Sequence, residues 1–279
     1  MPRKCPAIWI AIILAMLHGA SVAAQQSIDL ERQEMMIRID QLTRAIESKT
    51  LRPTYLVEAY RSRGVMLSDI DANEQALQDF NAALAVDSDD AESYNSRGVV
   101  YHKGKQYELA HADFNKAIQL ASDRAYPYYS RGHLNYYQGR YAEARSDFES
   151  GISLAAPADE PYGILWLFLT LTKEGDTNGV AMLRDYLARQ ESRAWPMPLL
   201  QMFTGELPAS NILKAASADD AQKDREQKCE ANFYLGLWHQ FRGERQLSRE
   251  ALQRAVDSKV IKFIEYQFGR VELERLGNE

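Results

Sequence analysis

From residue 57 to residue 158, apolar and small side chains recur on two helical faces, and the pattern is written three times. In the first copy Tyr60, Gly64 and Leu67 share one face, and Ala76, Phe80 and Ala83 share another. Gly64, Gly98 and Gly132 stand 34 residues apart, each preceded by Ser-Arg. Tyr60, Tyr94 and Tyr128 keep the same interval, as do Ala76, Ala110 and Ala144, and Asp79-Phe80, Asp113-Phe114 and Asp147-Phe148. The Gly has no side chain, so a second helix can approach its backbone, with the Ala opposite and the Phe filling the gap. A lone helix pair cannot bury both faces; stacked neighbours can, so the pattern predicts an all-α array built in series.

A large aromatic four residues before a Gly, then Ala and Phe, at a period of 34, resembles the tetratricopeptide (TPR) repeat. The resemblance implies an all-α superhelical solenoid of antiparallel helix pairs with N- and C-terminal capping helices. It also implies a module that binds protein partners, with no one reaction attached.

The rest of the chain divides around this array. Residues 1–24 read as a signal peptide: basic Arg3 and Lys4, an apolar run from Ala7 to Leu17, and Val22-Ala23-Ala24 as a small-residue end. That run is too short to span a bilayer, so no integral membrane segment is expected once the signal is removed. Residues 25–56 carry an amphipathic helix from about Ser27 to Ser48, either a cap on the first repeat or a dimerisation element. Pro53 suits the first turn of the helix that follows. Repeats occupy 57–90, 91–124 and 125–158, with Asp89 and Glu92 placed as a capping box. Residues 159–228 hold a degenerate repeat: an apolar helix from Pro161 to Lys173, a partner from Val180 to Gln190, a corner at Trp195, short helices near Leu199–Thr204 and Ala209–Ala216, and an exposed connector from Ser217 to Lys228. Residues 229–279 recover the repeat pattern and end in a closing helix, Phe263 to Leu276.

Charge and cysteine content narrow the function. Without residues 1–24 the chain has 31 basic and 39 acidic residues (33 less 2, and 39 less none), a net charge of −8, which disfavours nucleic acid as a partner. Cys5 leaves with the signal, so Cys229 is the one remaining thiol, expected as a buried or semi-buried bystander. There is no His-Glu-x-x-His, Gly-x-Ser-x-Gly or phosphate-binding loop, and His102, His111, His133 and His239 have no ligand spacing. No catalysis, metal or cofactor is expected.

Each repeated Arg precedes, by 16 residues, the Asp before the Phe: Arg63 and Asp79, Arg97 and Asp113, Arg131 and Asp147. Across an antiparallel helix pair these positions can face each other, and a guanidinium can bridge a carboxylate with two bonds. Three pairs in phase are therefore expected as internal staples.

The second half carries a further resemblance. Ile164-Leu-Trp-Leu-Phe-Leu, the Trp195 corner, and Ala231-Asn-Phe-Tyr-Leu-Gly through Ala255-Val256 to Ile264-Glu-Tyr and Glu272-Leu are similar to the NlpI family of bacterial envelope TPR lipoproteins. That resemblance implies a periplasmic adaptor that brings a tail-specific, C-terminal-processing protease to peptidoglycan hydrolases, and a possible homodimer. The family's acylated Cys follows its apolar run, whereas Cys5 precedes it here, so lipid anchoring does not carry over. An alternative role is a structural or assembly factor for an envelope export or outer-membrane machine.

By analogy with TPR proteins, the inner face takes Glu58, Arg61, Val65, Ser68 and Asp69 in repeat one, and Glu92, Asn95, Val99, His102 and Lys103 in repeat two. Repeat three offers Tyr126, Tyr129, His133, Tyr136 and Tyr137, almost wholly aromatic. The favoured expectation is a solvent-open peptide groove over Asn95, Val99, His102 and this aromatic set. The alternative is that the C-terminal segment fills the groove and turns the rings into core. The Lys/Asn set with which chaperone-binding TPR domains hold a terminal carboxylate is missing.

Overall fold

The computed structural model describes residues 29–278; the signal-peptide and Cys5 readings lie outside them. The described chain is helical throughout, with no strand. Helix α1 covers residues 29–47. Six helices then form three antiparallel pairs: α2 (Pro53–Asp69) with α3 (Asn73–Val86), α4 (Ala91–Lys103) with α5 (Tyr107–Leu120), and α6 (Ala125–Tyr137) with α7 (Tyr141–Leu154). The array continues through α8 (Glu160–Glu174), α9 (Gly179–Ala188) and α10 (Met197–Thr204). A 3₁₀ turn, Ala209–Asn211, runs into the short α11 (Ile212–Ala215). The last three helices are α12 (Ala221–Phe241), α13 (Arg245–Asp257) and α14 (Ile264–Asn278).

Local chemistry sets these boundaries. Pro53 opens α2, where its missing N–H costs nothing. The N-cap of α4 is Asp90, not Asp89: its carboxylate accepts from the Ser93 amide at 2.9 Å. Within each pair the chain reverses through a left-handed residue, Asp71, Lys105 and Gly139 at the 34-residue interval, and Gly243 between α12 and α13. The expected connector before Lys228 is largely helix instead. Asp220 accepts from the Lys223 amide at 2.7 Å, and Lys228 pairs with Asp224 one turn away at 2.7 Å, so α12 begins at Ala221.

The repeated Gly and Phe meet in every copy. A Cβ built on Gly64, Gly98 or Gly132 would lie 2.8, 2.7 or 3.0 Å from a ring carbon of Phe80, Phe114 or Phe148. Each Phe is fully buried, with Ala76, Ala110 and Ala144 beside it. The pair α12/α13 repeats the arrangement with an aliphatic filler: a Cβ on Gly236 would stand 2.6 Å from Leu252 Cγ. Small clusters surround Phe80 and Phe114, while one continuous core runs from Tyr136 to Leu276. Helix α8 is buried all round, and Cys229 is buried with its thiol 3.5 Å from the Ala255 carbonyl.

Helix α14 closes the stack on α13 and α12, and its other side turns into the concavity. Lys105 and Glu274 pair across to it at 3.0 Å, and Asp71 and Arg270 at 3.3 Å. The Arg275 guanidinium donates to the Tyr137 carbonyl at 2.6 Å and lies 4.8 Å over the Tyr137 ring.

Candidate functional site

The staples form a ladder. Arg63 Nε and Nη2 donate to the two carboxylate oxygens of Asp79 at 2.8 and 2.6 Å, and Arg97 holds Asp113 at 2.7 and 2.7 Å. Arg131 holds Asp147 at 3.0 and 2.6 Å. The aspartates are buried, and hydrogen bonding to them raises the pKa of Arg63 and Arg97 above the ordinary guanidinium value. The remaining Nη1 reaches back one repeat: Arg97 to Asn81 and Arg131 to Asn115, both at 2.6 Å. Arg63 instead sends its Nη1 to Thr43 of α1, donating at 2.9 Å, with no earlier repeat among the described residues. Helix α1 thus takes the place of a preceding repeat. Asn81 and Asn115 lie 34 residues apart directly after the repeated Phe, a signal present in the sequence and missed there.

The aromatic face of repeat three is not open to solvent, which corrects the favoured expectation. His133 is 8% exposed, Tyr136 2% and Tyr137 9%. Phe268 of α14 sits among these rings, 4.4 Å from Tyr137, 5.3 Å from His133, 5.5 Å from Trp166 and 6.0 Å from His102 between centroids. Tyr136 turns the other way, edge-on to Tyr141 and Trp166. The physical reason is apolar burial: α14 brings a large ring to a face that is already aromatic. Burial lowers the pKa of His133 to about 3 and that of His102 to about 4, so both are neutral at pH 7. Val99 packs in the cluster around Phe114.

Asn95 and Tyr126 line a cavity of about 670 Å3 with Arg61, Val65, Met66 and Asp69 of α2. Met35 and Arg38 of α1 form one wall, and Lys262 of the α13–α14 connection the other. Val65 is 40% exposed, and Asn95 Oδ1 is buried without a hydrogen-bond partner. Arg61 is fixed at the rim by Asp90 at 3.0 Å and Glu92 at 2.9 Å. Burial raises the Asp69 pKa to about 6, although Lys103 and Lys262 pull the other way. Sequence reasoning missed Met35, Arg38 and Lys262, because their arrival depends on α1 and on the path into α14.

Tyr129 and His133 line a separate space with residues of α8, α12 and α14. Tyr129 is wedged between two glycines: a Cβ on Gly151 would stand 2.4 Å from its ring, and one on Gly163 2.5 Å from its hydroxyl oxygen. Glu230 and Glu265 lie in the same space, raised above the ordinary carboxylate range first by burial and, for Glu265, by the charge of Glu230. Among the described residues, no group of three or more His, Cys, Asp or Glu is placed to hold a metal ion, and no helix is long and apolar enough to cross a membrane.

Comparison with known proteins agrees with this architecture. A TPR repeat model matches residues 71–105, and a tetratricopeptide repeat model matches 91–124 and 125–157. Among solved structures, a chain of the APC/C hetero-tetramer Cut9–Hcn1 aligns with a TM-score of 0.51 at 12% identity, over 88% of this chain and 46% of that one. PilF of Pseudomonas aeruginosa aligns with a TM-score of 0.49 at 16% identity, over 79% and 99% of the two chains. YrrB, a TPR protein with an unusual peptide-binding site, aligns with a TM-score of 0.44 at 18% identity, over 83% and 98%. The fold is a TPR solenoid, and such repeats imply a protein–protein interaction scaffold, typically non-catalytic.

Proposed function

We propose that this tetratricopeptide-repeat chain is a non-catalytic adaptor that takes a peptide segment of a protein partner in the groove over repeats one and two. The observation that carries the reading is the 670 Å3 cavity in which Asn95 Oδ1 stands buried and unpartnered beside exposed Val65. A buried amide oxygen without a donor costs free energy that a peptide N–H recovers. Val65, Met66 and Tyr126 offer apolar contact for side chains of the same segment, and the charged rim fixes its register.

The setting is proposed from the sequence. The export signature at the N-terminus and the NlpI-like second half favour a periplasmic adaptor that joins a tail-specific protease to cell-wall hydrolases. Affinity purification from the periplasm, with wild type beside Asn95→Ala and Val65→Asp, tests both levels. Loss of the same proteins from both variants, with unchanged circular dichroism, supports the groove; capture unchanged by either variant overturns it. A processing protease and a hydrolase among the lost proteins supports the adaptor role, whereas export or assembly subunits would make the chain an envelope assembly factor.

A further inference from the structure

Residues of four helices line a second, open-sided cavity of about 290 Å3, which adjoins the groove at Lys262. Its walls include the rings of Tyr162, Trp166 and Phe263. Two carboxylates stand in it, Glu230 at 7% and Glu265 at 4% exposure. Glu230 accepts from the Tyr162 hydroxyl at 3.0 Å and the Trp195 indole N–H, and Glu265 from the Tyr234 hydroxyl at 3.3 Å. These donors are neutral, and among the described residues neither carboxylate forms an ion pair. Lys262, the cation at the entrance, is held by Glu226 at 2.8 Å.

Two more polar atoms are unfilled. His133 Nε2 and the Tyr129 hydroxyl have no hydrogen-bond partner, and His133 is more than nine-tenths buried on the wall of this cavity. Neutral imidazole can accept at Nε2 in one tautomer, and a phenol can accept as well as donate. Burying two carboxyl groups in one cavity costs both desolvation and mutual repulsion, which raises both pKa values, and a cation bound between them restores the charged, accepting form. A site crowded with acceptors, walled by aromatic rings and poor in cations is matched by a planar cation with many donors. A guanidinium has five N–H donors, is weakly hydrated, and stacks on aromatic faces, which an ammonium does less well.

We propose that this cavity receives a guanidinium group, the side chain of an arginine in the peptide that occupies the adjoining groove. The identity of the carrier rests on the groove reading; the chemistry of the cavity does not. Tyr126 of the groove and Tyr129 of the cavity lie one helical turn apart on α6, so one long side chain can pass from one space to the other.

The test uses the purified chain and three small probes: n-propylguanidinium, n-butylammonium and neutral n-propylurea. Binding is read from the indole N–H resonances of Trp166 and Trp195. Saturable shifts with n-propylguanidinium, at least about tenfold tighter than with n-propylurea, are expected. Glu230→Gln and Glu265→Gln should each weaken the guanidinium by about tenfold with circular dichroism unchanged. Glu143→Gln, an exposed carboxylate of α7 that lines neither space, should leave it unaltered. Equal affinity for the urea overturns the proposal even if both variants misfold, and n-butylammonium binding as tightly as the guanidinium overturns the assignment to arginine. Because the probes need no peptide, failure here leaves the groove to be judged by its own variants.

Discussion

Repeat one and repeat three place the same positions on their inner faces and meet opposite fates. In repeat one, Arg61, Val65 and Asp69 line open space; in repeat three, His133, Tyr136 and Tyr137 are core. The helix pairs are alike, with the same Gly–Phe contact and the same Arg–Asp staple. What differs is the element opposite. Helix α14 enters the concavity over repeats two and three and leaves repeat one to the connection around Lys262. A repeat code therefore fixes how neighbours stack, and the filling of the concavity is a separate, non-local event.

The sharpest test of that difference is to empty one side of it. Phe268→Ala should cost about 3–5 kcal/mol of folding stability, because it removes a buried ring packed against His102, His133, Tyr137 and Trp166. Val65→Ala, on the corresponding face of repeat one, should stay within about 0.5 kcal/mol, as exposed substitutions do. Urea denaturation of both variants at constant slope measures this. Equal small losses would mean that α14 does not hold the third repeat's face.

Next in size is the feature the two regions share. Arg97→Ala strands Asp113, a buried carboxylate that now has both oxygens bonded to the guanidinium, and should cost about 1–3 kcal/mol. A double-mutant cycle with Asp113→Ala should show coupling, since the pair is in direct contact. Arg63→Ala should lose a comparable amount and also loosen α1, whose Thr43 accepts from it. Hydrogen exchange in residues 29–47 reports the second effect. Strictly additive losses would show that the bidentate geometry contributes nothing.

The legible part of this molecule was the part that repeats. Gly64, Phe80, Arg63 and Asp79 named their own contacts because the same separations recur, and local spacing decides which residues face each other across a helix pair. Asn81 and Asn115 recur in two of the three copies and went unread, since the partner of each sits in the next copy. The filling of the groove was open at the sequence level because Tyr137 and Phe268 are far apart in the chain, and nothing near either says that they meet. Glu265 was absorbed into the apolar pattern Ile264-Glu-Tyr and Glu230 directly precedes Ala231-Asn-Phe-Tyr-Leu, so an acidic residue on or beside a buried face was the available clue. The connector before Lys228 was misread because a helix can be made of charged residues when its cap and its one-turn ion pairs support it.

The smallest effect is a difference of sign between the two faces as pH falls. His133 has a pKa of about 3 when folded and about 6.5 in the unfolded chain, so burial of the neutral ring adds stability that is complete above about pH 6.5. That contribution drains as pH falls from 6.5 toward 3, because the unfolded state binds a proton the folded state refuses. Asp69 runs the other way: its pKa is raised to about 6 from 3.8, so its contribution is complete below about 3.8 and is lost as pH rises through 6. Between pH 7 and pH 5.5, His133→Gln should remove about 1 kcal/mol of acid-induced loss, the integral of one imidazole's extra proton over that range. Asp69→Asn should change the slope in the opposite direction, by an amount reduced by its partial exposure. The buried glutamates gain stability over the same range in both variants, so the comparison is made variant against wild type at each pH and their contribution cancels. Parallel pH profiles for wild type and both variants would mean that the two inner faces, different in what covers them, do not differ in how they treat charge.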